Sequence, residues 1–282
     1  MSPLTDSKRY SEEINTHGYT VVPNVISAEL AVKAKTALDR IFTREKIIAP
    51  ELDSAMHQVS FCIAHKERIF RSICQIPETL QLARSVLGND CTLSVFNGIS
   101  MKPHGDEQQL HIDQQGPAGE VELLNMLFPL DDFTRGNGCT RLIPGSHKLV
   151  HAVGTTADHR STQFKHLEDQ AIYMEIPVGS AIVYNGLIVH AGSRNRTDHP
   201  RRALIVSYCR QWIQPQWDFV KGMPRHILAD FTEEERMLFG YYAEKPLIYD
   251  HKTAYVYSPS PFRKNLERVR RKADKLFSLF LR

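Results

Sequence analysis

Short apolar runs punctuated by Gly, Pro, Asn and Asp dominate the middle of the chain. From Thr92 onward they fall at 93–101, 121–130, 139–143, 171–176, 181–184, 187–190 and 203–211. Each is strand-sized, and many strands separated by turn residues predict an antiparallel sandwich or barrel. The first third has a different texture. Residues 18–22, Gly-Tyr-Thr-Val-Val, read as a short strand. Ser27 is placed to cap a helix over 28–44, with Leu30, Ala34, Leu38 and Ile41 on one face. Pro77 opens a second helix, 78–87, which Gly88-Asn89 stops. Helices that precede a run of strands are expected to pack on one sheet. After Trp212 the alternation ends. Thr232 and Glu235 form a capping box for a helix over 232–240, and Leu266, Val269, Ala273, Leu276, Phe277 and Phe280 share one helical face near the end. The expected organisation is a single domain over 1–282, with a helical part (1–90), a β core (91–212) and an extension (213–282).

Composition narrows the class without naming a chemistry. The 282 residues are 42% hydrophobic and 24% charged, a globular balance. No apolar run approaches the ~20 residues of a membrane helix, and the first residues lack the apolar stretch of a secretory signal. Five cysteines without a CxxC pair suit reduced thiols in the cytoplasm. The net charge of +3 is local: residues 263–282 hold eight basic and two acidic residues, leaving −3 for the rest. A basic amphipathic helix can bind anionic lipid or nucleic acid, but its apolar stripe is expected to pack on the domain or to join two copies of the chain. The expected partner is a small molecule, with no nucleic acid and no stable membrane insertion. The polar stretch 147–170, with four His, is either a lid or a surface excursion.

The candidate chemistry starts at Gln109-Leu110-His111-Ile112-Asp113. Residues i and i+2 of a strand share a face, so His111 and Asp113 project together while Ile112 points into the core. One imidazole and one carboxylate are two-thirds of a non-haem iron(II) triad. A third ligand is available in His190, which closes the apolar run 187–190 before Gly192. Arg201 lies eleven residues later across a turn-rich stretch, and two antiparallel strands would return it toward His190. Its planar fork suits a carboxylate. Arg194 and Arg196 read as surface residues of a basic loop.

With the stretch 137–148 (Asn-Gly-Cys-Thr-Arg-Leu-Ile-Pro-Gly-Ser-His-Lys), the turn Pro177-Val178-Gly179-Ser180 and the opening His17-Gly18-Tyr19, the chain resembles the phytanoyl-CoA dioxygenase family of iron(II)- and 2-oxoglutarate-dependent oxygenases. The shared motifs cover about residues 95–210. The resemblance implies a mainly β fold with flanking helices, a double-stranded β-helix or cupin-like jelly roll. It implies iron on His111, Asp113 and His190, and the distal carboxylate of 2-oxoglutarate on Arg201, with Gln109 and Lys102 also toward the cosubstrate. O2 would complete the reaction, an oxidation of an unactivated C–H bond. Halogenating relatives lack the carboxylate, so Asp113 points to oxygenation. Three positions depart from the family: Gly192, with Ser193 one later, stands where a Ser is frequent; Leu127 stands where acyl-CoA hydroxylases carry an aromatic residue; and Gln114 and Gln115 are more polar than usual. The first leaves a hydroxyl contact to 2-oxoglutarate unassigned, and the polar residues after Asp113 with the His-rich 147–170 stretch favour a substrate more polar than a bare acyl chain, a natural-product intermediate before an acyl-CoA. A cupin-like protein that binds metal or ligand without oxidation is the alternative of another class.

Overall fold

The structure is a computed structural model that describes residues 3–114, 121–153 and 162–242. Gln115, most of the centre of the 147–170 stretch and the C-terminal amphipathic segment lie outside the described residues, as does the whole unit Lys245–Arg282. Helix α1 (Pro3–His17) leads into strand β1 (Tyr19–Val22) and helix α2 (Ala28–Ile48). Strand β2 (His57–Ser60) and helices α3 (Arg68–Ile73) and α4 (Pro77–Leu87) follow. The strands of the core are β3 (Thr92–Met101), β4 (Leu123–Pro129), β5 (Thr140–Leu142), β6 (Ile172–Tyr173), β7 (Ala181–Asn185), β8 (His190–Gly192) and β9 (Arg201–Cys209). Helix α5 (Ser146–Val153) interrupts them, and α6 (Phe219–Gly222), α7 (Arg225–Ala229) and α8 (Glu233–Leu238) close the described chain.

Two antiparallel sheets result. The larger runs β1-β7-β4-β9-β3-β2, and the smaller β6-β5-β8. Strand parity separates the faces of the large sheet. Phe96, Phe128, Leu204, Val206 and Tyr208 pack outward on helical residues such as Leu38, Ile41, Phe70 and Leu82. Leu127, Ile182, Tyr184 and Ala203 pack inward with Cys139 and Leu142 of the small-sheet segment. Both faces are therefore covered, which explains the near-continuous apolar reading of β3 and β4. Contact on the outer face is close: a Cβ at Gly98 would lie 2.2 Å from Leu38 Cδ1.

Local signals placed several boundaries well. Ser27 accepts from Leu30 N–H as the N-cap of α2, Gly88 ends α4, and Thr232 and Glu235 form the capping box of α8. Helix α1 was not foreseen: of its described side chains only Tyr10 and Ile14 are buried, too sparse a stripe to show a period. The 147–170 stretch contains α5 and a 3₁₀ segment, Thr162–Gln170, whose Phe164 and Leu167 are buried. His147 is also buried, with Nε2 against Asn15 O at 3.2 Å.

Candidate metal centre and cosubstrate pocket

His111 and His190 exchange backbone hydrogen bonds at 2.9 Å in both directions, an isolated antiparallel bridge that extends the small sheet beyond β8. Asp113 N–H donates to Gly186 O at 2.9 Å. The i, i+2 relation holds as the sequence predicted. Ile112 is buried among Leu110, Ile143, Leu187 and Val189, while His111 Nε2 lies 3.9 Å from Asp113 Oδ1. His190 begins β8 instead of ending an apolar strand, because 185–188 form a turn, closed by Ile188 N–H to Asn185 O at 2.9 Å, that returns the chain. Its Nε2 stands 3.4 Å from Asp113 Oδ2, and the two imidazole centroids are 4.4 Å apart. One ligand atom from each of the three residues falls within 4.8 Å of the others.

Both imidazoles are oriented by the backbone. His111 Nδ1 is 2.8 Å from Gln109 O and His190 Nδ1 is 3.1 Å from Ile188 O. A carbonyl can only accept, so each Nδ1 carries the proton and each Nε2 presents a lone pair to the shared space. Burial pushes the His190 pKa down to about 4, with His111 adding to the effect and Asp113 opposing it. His190 is thus a neutral imidazole at neutral pH. Two imidazoles that turn Nε2 to one side and a carboxylate beside them suit a divalent iron with its opposite face open.

Three residues that sequence reasoning passed over support this cluster. Asn125 Nδ2 donates to Asp113 Oδ2 at 2.8 Å, and Ser207 Oγ donates to Asn125 Oδ1 at 2.5 Å. Tyr184 places its hydroxyl 3.4 Å from His190 Nε2 with its ring 4.8 Å from the imidazole. Burial, with the Asp113 charge second, pushes this phenol well above its ordinary range. Ser207, Asn125 and Tyr184 occupy one transverse row, since Asn125 faces Ser207 on one side and Tyr184 on the other. The available signal was a polar residue inside an apolar run, which needs a buried partner.

Arg201 begins β9 in the large sheet, opposite the small sheet that carries His190. It is 4% exposed, its Nε has no hydrogen-bond partner, and no carboxylate among the described residues stands within ion-pair distance. Its guanidinium lies over the Phe133 ring at 4.4 Å. Burial lowers its pKa to about 10, which leaves it charged. Arg202 points to the other face, pairing with Asp39 at 2.6 Å and Asp131 at 3.3 Å. Arg194 and Arg196 are exposed, and Arg194 pairs with Asp106. Lys102 is held by Asp53, 2.6 Å from Nζ to Oδ1. The Gln109 side chain is exposed, whereas that of Gln108 turns inward and accepts from Gly192 N–H at 2.8 Å. Ser193 donates to Cys139 O at 2.6 Å.

Residues 14–203 match the phytanoyl-CoA dioxygenase (PhyH) family. The chain belongs to that family. This PhyH member is 30% identical over 257 residues to dioxygenase trt7 of Aspergillus terreus, covering 85% of both chains. It is 31% identical over 152 residues to the multifunctional dioxygenase ausE of Penicillium brasilianum, covering 51% of this chain and 50% of that one. Among solved structures it resembles the epimerase SnoN of nogalamycin biosynthesis, determined with Fe3+, alpha ketoglutarate and nogalamycin RO. The TM-score is 0.61 at 17% identity, over 79% of this chain and 91% of SnoN. It also resembles EvdO2 of Micromonospora carbonacea complexed with 2-oxoglutarate, with a TM-score of 0.54 at 19% identity, over 72% and 90%. At these identities the shared property is the fold, and the two facing sheets of this PhyH protein are a jelly roll.

Proposed function

We propose that this protein is an iron(II)- and 2-oxoglutarate-dependent dioxygenase that oxidises an unactivated C–H bond of an organic small molecule, a natural-product intermediate in preference to an acyl-CoA. The observation that carries the proposal is the pairing of two sites across the jelly roll. One is the His111–Asp113–His190 cluster; the other is the buried Arg201, a cation without an ion-pair partner among the described residues. Burying an unpaired charge is costly, and the distal carboxylate of a dicarboxylic 2-oxo acid would neutralise it while the other end reaches the metal. The relatives named as dioxygenases support the same reading.

Iron held by His111, Asp113 and His190 would activate O2, the oxidant; 2-oxoglutarate would supply two of its four electrons and leave as succinate and carbon dioxide, and the substrate C–H bond would supply the other two. The protein's own work is positional. His111 and His190 offer fixed Nε2 lone pairs, Asp113 offers a carboxylate steadied by Asn125, and Arg201 sets the cosubstrate's far end. Phe133 and the inward apolar residues of the large sheet exclude water around it. Hydroxylation is the default outcome, and desaturation, epoxidation or ring formation follow from a different placement of the substrate.

Succinate formation from 2-oxoglutarate, with and without iron, tests the proposal. His111→Ala, Asp113→Ala and His190→Ala are expected to abolish it, and full turnover in any of them rejects the triad. Arg201→Ala should chiefly raise the 2-oxoglutarate requirement, while Arg202→Ala, whose side chain pairs on the opposite face, should not. The reading extends to a cytoplasmic setting, supported by five cysteines that are all free thiols. It also extends to a homodimer joined through residues 263–282, which size-exclusion chromatography of the full chain and a chain lacking that segment would test.

A further inference from the structure

The row of the large sheet that carries Arg201 holds a second basic side chain. His57 of β2 faces Met101 of β3, and Met101 faces Arg201 of β9. Directly opposed residues in an antiparallel sheet share a face with Cβ atoms about 5 Å apart, so the inner face presents His57 and Arg201 about 10 Å apart at Cβ. Met101 lies between them, but its side chain runs toward Gly138 and Gly192, where added Cβ atoms would meet it at 3.3 and 3.4 Å.

His57 Nδ1 is buried and has no hydrogen-bond partner, the condition already noted for Arg201 Nε. Two orphaned nitrogens on one row are unexpected in a structure that satisfies most of its buried polar atoms. The charges around His57 make an anion the natural partner. Its pKa is lowered by burial and then by the Arg201 and Lys102 charges, so basic groups converge there. Asp53, the carboxylate beside Lys102, is engaged by it at 2.6 Å and approached by Lys46 at 3.8 Å. Asp53 thereby pairs with Lys102, while His57 Nδ1 is left without a partner and, in the tautomer that protonates it, can donate.

Resting on the oxygenase reading above, we propose that His57 is a cosubstrate-binding residue, the second donor to the distal carboxylate of 2-oxoglutarate, sharing that carboxylate with Arg201. Arg201 supplies the charge and His57 a directional hydrogen bond from β2, the edge strand next to β3. Lys102 orders Asp53 and does not itself touch the cosubstrate.

Calorimetry on the full-length Mn(II)-loaded protein tests this with two probes, 2-oxoglutarate and oxalate. Oxalate presents a metal-chelating end without a distal carboxylate. His57→Leu is expected to raise the 2-oxoglutarate Kd by about tenfold to a hundredfold, the range for a hydrogen bond to a charged group, and to leave the oxalate Kd unchanged. His57→Asn, which keeps a donor near the Nδ1 position, should recover most of the loss. An unchanged 2-oxoglutarate Kd in His57→Leu, equal weakening toward both probes, or equal loss in the Leu and Asn variants would each overturn the role of His57. Wild-type protein that binds oxalate but not 2-oxoglutarate would overturn the oxygenase reading itself, and the role of His57 with it.

Discussion

Replacing Asn125 by Leu separates two jobs that one buried amide performs. The side chain is 1% exposed, donates to Asp113 Oδ2 at 2.8 Å and accepts from Ser207 Oγ at 2.5 Å. Leu has nearly the same shape and neither function. In the metal-free protein the change leaves the buried Ser207 hydroxyl without its acceptor, which costs about 1–3 kcal/mol. At the metal, Asp113 loses the contact that fixes its carboxylate, and loss of such an outer partner weakens binding by about 10–100-fold, or roughly 1.4–2.7 kcal/mol. The double variant Asn125→Leu/Ser207→Ala removes the orphaned hydroxyl but not the defect at Asp113. Stability should therefore return toward wild type, while metal affinity stays low. Thermal unfolding of the metal-free proteins reads the first quantity and Mn(II) titration calorimetry the second. If both recover together in the double variant, Asn125 acts only through the fold and the reasoning about Asp113 fails.

Other outcomes follow from the same geometry. Burial holds the His190 pKa to about 4, against 6.5 for a free imidazole, so between these pH values the unfolded chain binds the extra proton. The contribution is complete above pH 6.5 and is lost as pH falls toward 4, by about 3 kcal/mol at most. Denaturant unfolding of metal-free wild type and His190→Gln at pH 7 and pH 5 should show a shallower pH dependence in the variant, and identical slopes would refute the assignment. Gly98→Ala should destabilise by about 1–3 kcal/mol, because its Cβ would meet Leu38 Cδ1 at 2.2 Å. Adding Leu38→Val should recover part of that loss, and a Gly98→Ala protein with the wild-type Tm would contradict the packing. Arg202→Ala should lower Tm, through loss of its contacts to Asp39 and Asp131, without changing the 2-oxoglutarate Kd.

Much of the site was legible in the sequence because it rests on parity. In an extended segment the facing of a side chain is a property of consecutive residues. Hence His111 and Asp113 could be paired and Ile112 assigned to the core without a structure, whereas parity alone put Arg201 and Arg202 on opposite faces without saying which one faces the pocket. Helix caps at Ser27, Gly88 and Thr232 are equally local, each set by a hydrogen bond or a backbone conformation within a few residues. His190 was picked out at the end of the apolar run 187–190; the family resemblance implied its role at iron and the jelly roll, and the match over residues 14–203 shows the family.

What the sequence could not determine is which strands lie side by side, and therefore which distant residues share a row. Asn125 and Ser207 are 82 residues apart and meet because β4 pairs with β9 in one register. His57 reaches the row of Arg201 only through two further pairings, across β3. The partner of Lys102 is likewise a product of the fold, which brings Asp53 Oδ1 to 2.6 Å from its ammonium. Register is fixed by the packing of whole sheet faces against helices and against each other, not by any residue's neighbours. The chain by itself determined the candidate donors and the side of the strand on which each stands; the tertiary structure alone decided which buried groups are satisfied and which, among the described residues, lack a partner.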